Sequence, residues 1–267
     1  MIEARDGATI PLHTRGSGPP IVVVHGGGVD IGTYRWLAAS LAERFTVHLY
    51  NRRGRADAPP RTEPYDVRED IDDLAAVLRT TGTVNVIGHS AGGFIALEAA
   101  RELPIERLAL YDPAVHVDGL FPAGWLAGAK DALRAGDDAR ALALVTSGIN
   151  THTPVSRLPL SVQTWITGLF LRTPIGRTMG ELLPLTLDES AAVFAHAGPA
   201  SRWAGVTAKV LLACGASGPD YYPKINEALA SVLPDARTLL VPRGAHDALN
   251  RANRQIVDPL IEFFAEP

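Results

Sequence analysis

The chain has 267 residues, of which 46% are hydrophobic and 20% charged, and its formal net charge is −4. This length allows one large domain, or one domain that carries an insertion. Because the 25 lysines and arginines are scattered, the sequence predicts neither nucleic-acid binding nor attraction to an anionic membrane.

The remaining composition narrows the class of protein further. The single cysteine, Cys214, excludes a disulfide within the chain and a cysteine-based zinc site. No stretch approaches the roughly eighteen apolar residues of a membrane span, and the first ten residues contain no apolar signal segment. We therefore expect a cytoplasmic protein that acts on a small molecule, as a monomer or a homodimer.

The first predicted structure is an antiparallel hairpin, in which Asp6-Gly7 forms the turn between IEAR and ATIPLH. Six short runs of continuous apolar residues follow, which is typical of strands covered on both faces in a parallel sheet. These runs are 21–24, 45–50, 84–88, 107–111, 209–215 and 237–242.

Helical patterns alternate with these runs. The clearest has apolar residues at helical spacing at Ile71, Leu74, Ala75 and Leu78. Alternation of strands and helices predicts an α/β fold with a doubly wound, mostly parallel sheet. The last segment, NRQIVDPLIEFF, is predicted to be a closing helix that is disturbed or restarted at Pro259.

The alternation stops between Asp112 and about Trp203, where the sequence has helical patterns and no convincing strand. We interpret this stretch as a helical cap over one end of the sheet. The predicted organisation is a core formed by residues 1–112 and 204–267, with a cap insertion of residues 113–203.

The segment Gly88-His89-Ser90-Ala91-Gly92 fits the pattern G-x-S-x-G. In this pattern a strained turn between a strand and a helix exposes the serine hydroxyl, and small residues are required on both sides of the serine. The apolar run VNVI precedes the segment, and the helical sequence FIALEAARE follows it. Ser90 is therefore the candidate nucleophile.

A serine hydroxyl needs a base that accepts its proton. Of the eight histidines, His246 follows the last predicted strand, where a loop can return to the edge of the sheet that carries Ser90. His246 is therefore the candidate base. His25 and His89 flank glycines in two loops at the same edge, and we expect them to make structural hydrogen bonds.

The loop His25-Gly-Gly-Gly28 follows the first apolar run and is of the HGGG type. Glycines let backbone N–H groups approach the oxyanion of a tetrahedral intermediate closely. We predict that the N–H groups of Gly27 and Ala91 form an oxyanion hole, with Gly28 as the alternative to Gly27. Arg52, Arg53 and Arg55 form a basic cluster that we interpret as solvated or structural.

Four motifs, HGGG, NRRG, GHSAGG and GAH, occur in this order at predicted strand ends. Together they make the chain resemble the α/β-hydrolase fold superfamily over essentially its whole length. The resemblance implies a serine hydrolase that uses no cofactor and no metal. Similar proteins usually carry an aspartate at the position of Asn51, and we interpret this difference as a local structural change.

The resemblance also implies an acid that orients the histidine. In the common pattern of the superfamily this acid follows the strand before the histidine strand, but here that position holds Gly218. Two candidates remain: Asp220, slightly further along the same loop, and Asp112, at the end of the run 107–111. Proteins that resemble haloalkane dehalogenases supply their acid from the latter strand end, and we favour Asp112.

The predicted function is hydrolysis of a carboxylic ester, thioester or lactone of a small, largely apolar substrate through an acyl-enzyme on Ser90. The alternatives are a C–C bond hydrolase or cofactor-free lyase that uses the same Ser-His pair, and a non-catalytic binding protein. Several large apolar cap residues offer surface either for an acyl group or for the cap's own core: Trp125, Trp165, Leu169, Phe170 and Phe194.

Overall fold

The computed structural model describes residues 1–266, and its strands form one large sheet and one separate pair. The separate antiparallel pair is β1 and β2, which is the hairpin predicted around Asp6-Gly7. In chain order the strands are β1 (Ile2–Glu3), β2 (Thr9–Ile10), β3 (His13–Arg15), β4 (Pro20–Val24), β5 (Thr46–Leu49), β6 (Asn85–His89), β7 (Arg107–Tyr111), β8 (Lys209–Gly215) and β9 (Ala236–Val241).

The large sheet has the order β3-β5-β4-β6-β7-β8-β9. All its neighbouring pairs are parallel except β3 with β5 at one edge. The predicted α/β fold with a mostly parallel sheet is therefore confirmed. The sequence predicted one strand that ended at His13, whereas in the structure His13 begins a separate edge strand, β3, whose three residues are all exposed and leave no apolar run.

Helices cover both faces of the sheet. They are α1 (Arg35–Leu41), α2 (Val67–Thr81), α3 (Ala91–Ala99), α4 (Leu126–Arg134), α5 (Asp138–Ile149), α6 (Leu160–Phe170), α7 (Pro174–Glu181), α8 (Leu183–Ala195), α9 (Tyr221–Ala230) and α10 (Arg254–Ala265), with short 3-10 turns at Ile31–Tyr34, Val155–Arg157 and Ala200–Trp203. The helix α10 is the predicted closing helix, and it continues through Pro259, so the restart that the sequence suggested at this proline is wrong. Buried residues such as Ile256 and Phe263 on both sides of the proline hold the helix against the core.

Successive residues of β4 point to opposite faces of the sheet. Val22 and Val24 belong to the apolar cluster under α2, α3 and α9, whereas Ile21 and Val23 belong to the cluster under α1 and α10. Each such fully buried side chain stabilises the fold by roughly 1.5–3 kcal/mol. Burial on both faces explains why the central strands are continuously apolar.

The helices α4–α8 all lie between β7 and β8 in the chain. They share an apolar cluster of their own, which includes Trp125, Leu142 and Leu187. The last of them, α8, contacts α3, the helix that begins directly after Ser90. This contact places α8 beside the helix that follows Ser90, and the helices α4–α8 are called the cap below.

Candidate active site

Ser90 lies at a sharp turn between β6 and α3. Its φ is 53° and its ψ is −121°, a strained combination for a residue other than glycine. A Cβ on Gly92 would lie 2.3 Å from the Val24 carbonyl oxygen, and one on Gly88 would lie 2.8 Å from the Gly92 carbonyl oxygen. The small residues around Ser90 are therefore required by the close approach of backbone on both sides.

Asp112 is the acid that the structure brings to His246. It follows β7, the strand beside β6, and its Oδ2 accepts a 2.9 Å hydrogen bond from His246 Nδ1. The carboxylate is fully buried, and its Oδ1 accepts a hydrogen bond of 3.2 Å from the Gly215 N–H. Because Nδ1 donates to Asp112, the neutral His246 ring has its free acceptor at Nε2.

Asp220, the other candidate acid, does not approach His246. Its side chain is 81% exposed, and its Oδ2 pairs with Lys224 Nζ at 2.8 Å. Asp220 lies at the N-terminal end of α9, so the chain has already turned away from the sheet edge at this residue.

A chain of hydrogen bonds fixes the loop that carries His246. The Gly26 N–H donates to the Tyr34 hydroxyl at 2.9 Å, which in turn donates to His89 Nδ1 at 2.6 Å. His89 Nε2 donates to the His246 carbonyl oxygen at 3.0 Å, and the Tyr111 hydroxyl donates to the Ala245 carbonyl oxygen at 2.7 Å. Burial holds the pKa of His89 well below its usual value, which keeps this histidine neutral near pH 7.

His25 also makes structural hydrogen bonds at the same edge. Its Nδ1 donates to the Gly26 carbonyl oxygen at 2.9 Å, and its Nε2 accepts from the Arg52 N–H at 3.0 Å. Burial lowers the pKa of His25 well below its usual value. His25 thus connects the loop after β4 to the arginine-bearing loop after β5.

Tyr222 packs on the ring of His246, a contact that the sequence analysis did not predict. The two rings are nearly parallel, with an interplanar angle of 12° and centroids 5.7 Å apart. Tyr222 is in the first turn of α9, shortly after the strand β8. An aromatic face in this position stabilises a positively charged imidazolium.

Ser90 and His246 line the same cavity. Among residues 1–266 no hydrogen bond joins their side chains, and such bonds between catalytic groups often form only when substrate binds. Ser90, Asp112 and His246 all follow carboxyl ends of parallel strands, which explains how residues distant in sequence meet at one edge.

Two backbone N–H groups beside Ser90, those predicted from sequence to form an oxyanion hole, lack a partner in the described part of the chain. Neither the Gly27 N–H nor the Ala91 N–H has an acceptor among the described residues. Ala91 begins α3, and a Cβ on Gly27 would lie 3.8 Å from Ala91 Cβ, so the two residues are close neighbours. Gly28 has a φ of +66°, which favours glycine at this turn.

The cavity above Ser90 has a volume of about 160 Å³. Its apolar wall comes mainly from other residues than the large cap side chains considered from sequence: Phe121, Leu142, Val145, Ile149, Met179, Leu183 and Val193. Of the side chains considered from sequence, Trp165 and Leu169 are exposed, and Trp125 packs in the apolar cluster of the cap with Phe170 and Phe194. The sequence analysis selected these cap residues because their side chains are large. Size alone does not show whether a side chain points into the cavity.

The three arginines of the NRRG segment and its continuation are buried. Arg52 Nε and Nη2 donate to the two oxygens of Asp70 at 3.0 and 3.3 Å. Burial opposes ionisation of Asp70, but Arg52 brings the pKa of this carboxyl below its usual value. Their role is structural, which is one of the two interpretations that the sequence allowed.

Two of these arginines also bind the cap. Arg52 Nη2 lies 2.7 Å from Glu189 Oε1 of α8, and Arg55 Nη2 donates to the same oxygen. All three side chains are at most 3% exposed. A buried ion-pair cluster therefore connects the loop after β5 to the cap, directly beside the cavity.

The described part of the chain contains neither a cluster of metal ligands nor a membrane-spanning helix. In residues 1–266 no group of three or more histidine, cysteine, aspartate or glutamate side chains is arranged to hold a metal ion. No helix in that range combines the length and the apolar character needed to cross a membrane.

Comparison with known proteins identifies the family. Residues 21–258 match the alpha/beta hydrolase family, so the chain belongs to this family. A solved alpha/beta hydrolase from Sphaerobacter thermophilus has 28% sequence identity and a TM-score of 0.82, over 99% of this chain and 100% of that one.

Two curated relatives match shorter parts of the chain. YraK, an uncharacterised hydrolase of Bacillus subtilis, is 40% identical over 96 residues, which are 34% of this chain and 35% of YraK. A pimeloyl-[acyl-carrier protein] methyl ester esterase of Chromobacterium violaceum is 37% identical over 101 residues, 37% of this chain and 39% of that esterase. The chain thus spans about a third of the length of the first curated relatives it matches. The family and its named relatives support a hydrolase.

Proposed function

We propose that the protein is a serine hydrolase that cleaves a carboxylic ester, thioester or lactone with a small, largely apolar acyl group. The observation that carries this proposal is the hydrogen bond from His246 Nδ1 to the buried Asp112, because His246 lines the same cavity as the strained Ser90. This arrangement supplies a nucleophile, a base and an orienting acid from three neighbouring loops.

The reaction begins when the Ser90 hydroxyl oxygen attacks the carbonyl carbon and His246 Nε2 accepts the hydroxyl proton. The oxyanion that forms accepts hydrogen bonds from the N–H groups of Gly27 and Ala91. When the intermediate collapses, the bond to the leaving group breaks and His246 returns the proton to that group. Water then attacks the acyl-enzyme by the same steps, which releases the carboxylic acid and restores Ser90.

The cavity limits the size of the acyl group. Its volume, about 160 Å³, is close to that of engineered apolar cavities, of about 150 Å³, which hold a benzene molecule. An acyl group of about the size of one six-membered ring, or a short branched chain, therefore fits beside Ser90.

A groove on the outside continues from this cavity. Gly28 and Met179 line both spaces, and the groove lies between the loop after β4 and the helix α7 of the cap. Trp36 and Ile175 are exposed along it. We place the leaving group on this side, where a larger alcohol or thiol has room.

Rapid-mixing kinetics with 4-nitrophenyl butanoate test the proposal. An acyl-enzyme predicts a burst of nitrophenol equal to the concentration of active protein whenever deacylation is the slower step, and no burst for Ser90→Ala. Butanoyl thioesters and a six-membered lactone, assayed in the same way, identify the preferred class of substrate. Wild-type protein that neither hydrolyses any of these substrates nor becomes acylated contradicts the proposal and leaves the C–C hydrolase, lyase and binding-protein alternatives.

A further inference from the structure

Glu189 lines the cavity of Ser90, and one of its carboxylate oxygens is buried without a hydrogen-bond partner in the described part of the chain. One carboxylate oxygen, Oε1, binds Arg52 and Arg55, but the other, Oε2, has no hydrogen-bond partner among the described residues. Glu189 is 3% exposed and lines the cavity together with Ser90. A buried polar atom of this kind costs free energy unless it is satisfied, so its partner is expected to come from a bound molecule.

The position of Oε2 relates it to the reacting carbonyl. A Cβ built on Gly27 would lie 3.2 Å from Glu189 Oε2, and the Gly27 N–H is a proposed donor to the oxyanion. If Gly27 and Ala91 hold the carbonyl oxygen of a substrate, Glu189 Oε2 is therefore close to that carbonyl group. A substituent a few bonds from the carbonyl carbon can reach it.

The other cap groups in the cavity do not supply a donor to Glu189. The hydroxyls of Thr186 and Ser190 donate to carbonyl oxygens of their own helix, at 2.8 Å each, and Thr146 does the same at 2.9 Å. Such hydroxyls have no further O–H to offer and present only lone pairs to the cavity. These three hydroxyls therefore add acceptors, and no donors, to the cap side of the cavity.

Charge indicates what kind of donor fits. Glu189 and Asp70 are both held by the arginines of one buried cluster, in which Arg52 and Arg55 supply two positive charges against two carboxylates. Since the cluster is already balanced, a neutral hydroxyl or N–H fits Oε2 without adding a buried charge.

We propose that Glu189 is a specificity residue, which accepts a hydrogen bond from a neutral hydroxyl or N–H group that the substrate carries close to its scissile carbonyl. This proposal rests on the proposed function of Ser90. The donor belongs either to the acyl group or to the alcohol of the substrate. In both cases a neutral hydroxyl or N–H donates a hydrogen bond to Glu189 Oε2.

The test uses matched substrates with the wild-type protein and compares their kcat/KM values. On the acyl side, the 2-hydroxybutanoate and 3-hydroxybutanoate esters of nitrophenol are compared with the unsubstituted butanoate ester. On the alcohol side, 2-hydroxyethyl butanoate is compared with propyl butanoate. We expect at least one hydroxylated substrate to be preferred about tenfold or more, since a hydrogen bond to a carboxylate contributes about 1.5–3 kcal/mol. If the wild-type protein prefers no hydroxylated substrate, on either the acyl side or the alcohol side, the proposal is overturned.

Glu189→Gln shows whether Glu189 causes the preference. Arg52 and Arg55 can only donate, so they hold the glutamine oxygen and turn its NH₂ group toward the cavity. We expect the preference for the hydroxylated substrate to fall about tenfold or more, and the 3-methoxybutanoate, which only accepts, to gain relative to the 3-hydroxybutanoate. Asp188→Asn is the matched control, because Asp188 is the preceding residue of α8, is partly exposed and pairs with Arg61 and Lys130 away from the cavity.

Two controls separate the possible failures. Labelling of Ser90 by a fluorophosphonate in every variant shows that the nucleophile is intact, and its absence in the wild type is a failure of the proposed function instead. An unchanged preference in a folded, labelled Glu189→Gln protein contradicts the role of Glu189. If Glu189→Gln does not fold, the kcat/KM comparisons of the acyl-side and alcohol-side substrates with the wild-type protein still test the proposal.

Discussion

The carboxyl edge of the sheet and the cap meet at one cavity, but they position their residues by different means. At the sheet edge, Ser90 and Asp112 directly follow paired strands, and both have positive φ values imposed by the backbone. In the cap, Glu189 is held on a helix by ion pairs to Arg52 and Arg55. Backbone geometry therefore positions Ser90 and Asp112, whereas ion pairs between side chains position Glu189 on the opposite wall of the cavity.

This difference predicts which substitutions stop the chemistry and which alter stability or substrate choice. Changes at the sheet edge are expected to lower kcat by orders of magnitude. Changes in the cap are expected to act on folding free energy or on selectivity.

The largest effect is expected for Ser90→Ala, which removes the attacking oxygen. We expect kcat for ester hydrolysis to fall by about 10⁴–10⁶-fold, as for other catalytic serines. Ser190→Ala is the matched change in the cap, since Ser190 lines the same cavity but donates to the Thr186 carbonyl oxygen. Steady-state kinetics are expected to show less than about a tenfold loss for Ser190→Ala. If kcat falls equally in Ser90→Ala and Ser190→Ala, the predicted difference between the sheet edge and the cap is wrong.

The second-largest loss of kcat is expected at Asp112, one of the two candidate acids. Asp112→Asn removes the acceptor for His246 Nδ1 and favours the wrong tautomer, so kcat is expected to fall about 10⁴-fold. Asp220→Asn changes an exposed group that pairs with Lys224, and kcat is expected to stay within about twofold. A kcat that is lost in Asp220→Asn and retained in Asp112→Asn would show that the acid is supplied from the loop after β8.

A third prediction concerns the connection between the two regions. Arg55→Met removes one partner of the buried Glu189, and we expect the free energy of unfolding to fall by about 3–5 kcal/mol. Arg134→Met removes a pairing with Asp131 in which both side chains are exposed, and a loss of at most about 1 kcal/mol is expected. Urea unfolding followed by circular dichroism measures both values. A smaller loss for Arg55→Met than for Arg134→Met would show that the buried pair does not hold the cap.

The smallest effect is expected at Tyr222, which stacks on His246. Tyr222→Leu removes the aromatic face over the imidazolium, and a contribution of about 0.5–2 kcal/mol corresponds to a loss of roughly 2–30-fold in kcat/KM. Tyr222→Phe keeps the ring and should remain near the wild-type value. If both variants lose the same activity, the hydroxyl matters and the stacking account is wrong.

The parts of the molecule that could be predicted from sequence are those determined locally. The strand before Ser90 and the glycines around it are encoded in one short segment, and the parallel sheet follows from continuous apolar runs. Chain order also indicated His246, because the last strand must return to the same edge. The sequence favoured Asp112 but left Asp220 open, since the choice depends on where α9 begins after β8.

The cap could be predicted as helical, but its contribution to the cavity could not. Glu189 lies in the sequence LDESAAVF, where a glutamate is typical of an exposed helix face. Its burial depends on arginines more than a hundred residues earlier in the chain, and no local pattern records that pairing. Tyr222 was missed for the same reason, because its contact with His246 arises where the helix α9 packs against the loop after β9.

The most direct test of the central claim is the site at which a fluorophosphonate reacts. Peptide mass spectrometry after labelling is predicted to find one adduct, on Ser90, in the wild-type protein and none in Ser90→Ala, with much slower labelling in Asp112→Asn. Absence of an adduct, or an adduct on any other residue, would contradict the assignment of Ser90 as a nucleophile activated by His246 and Asp112.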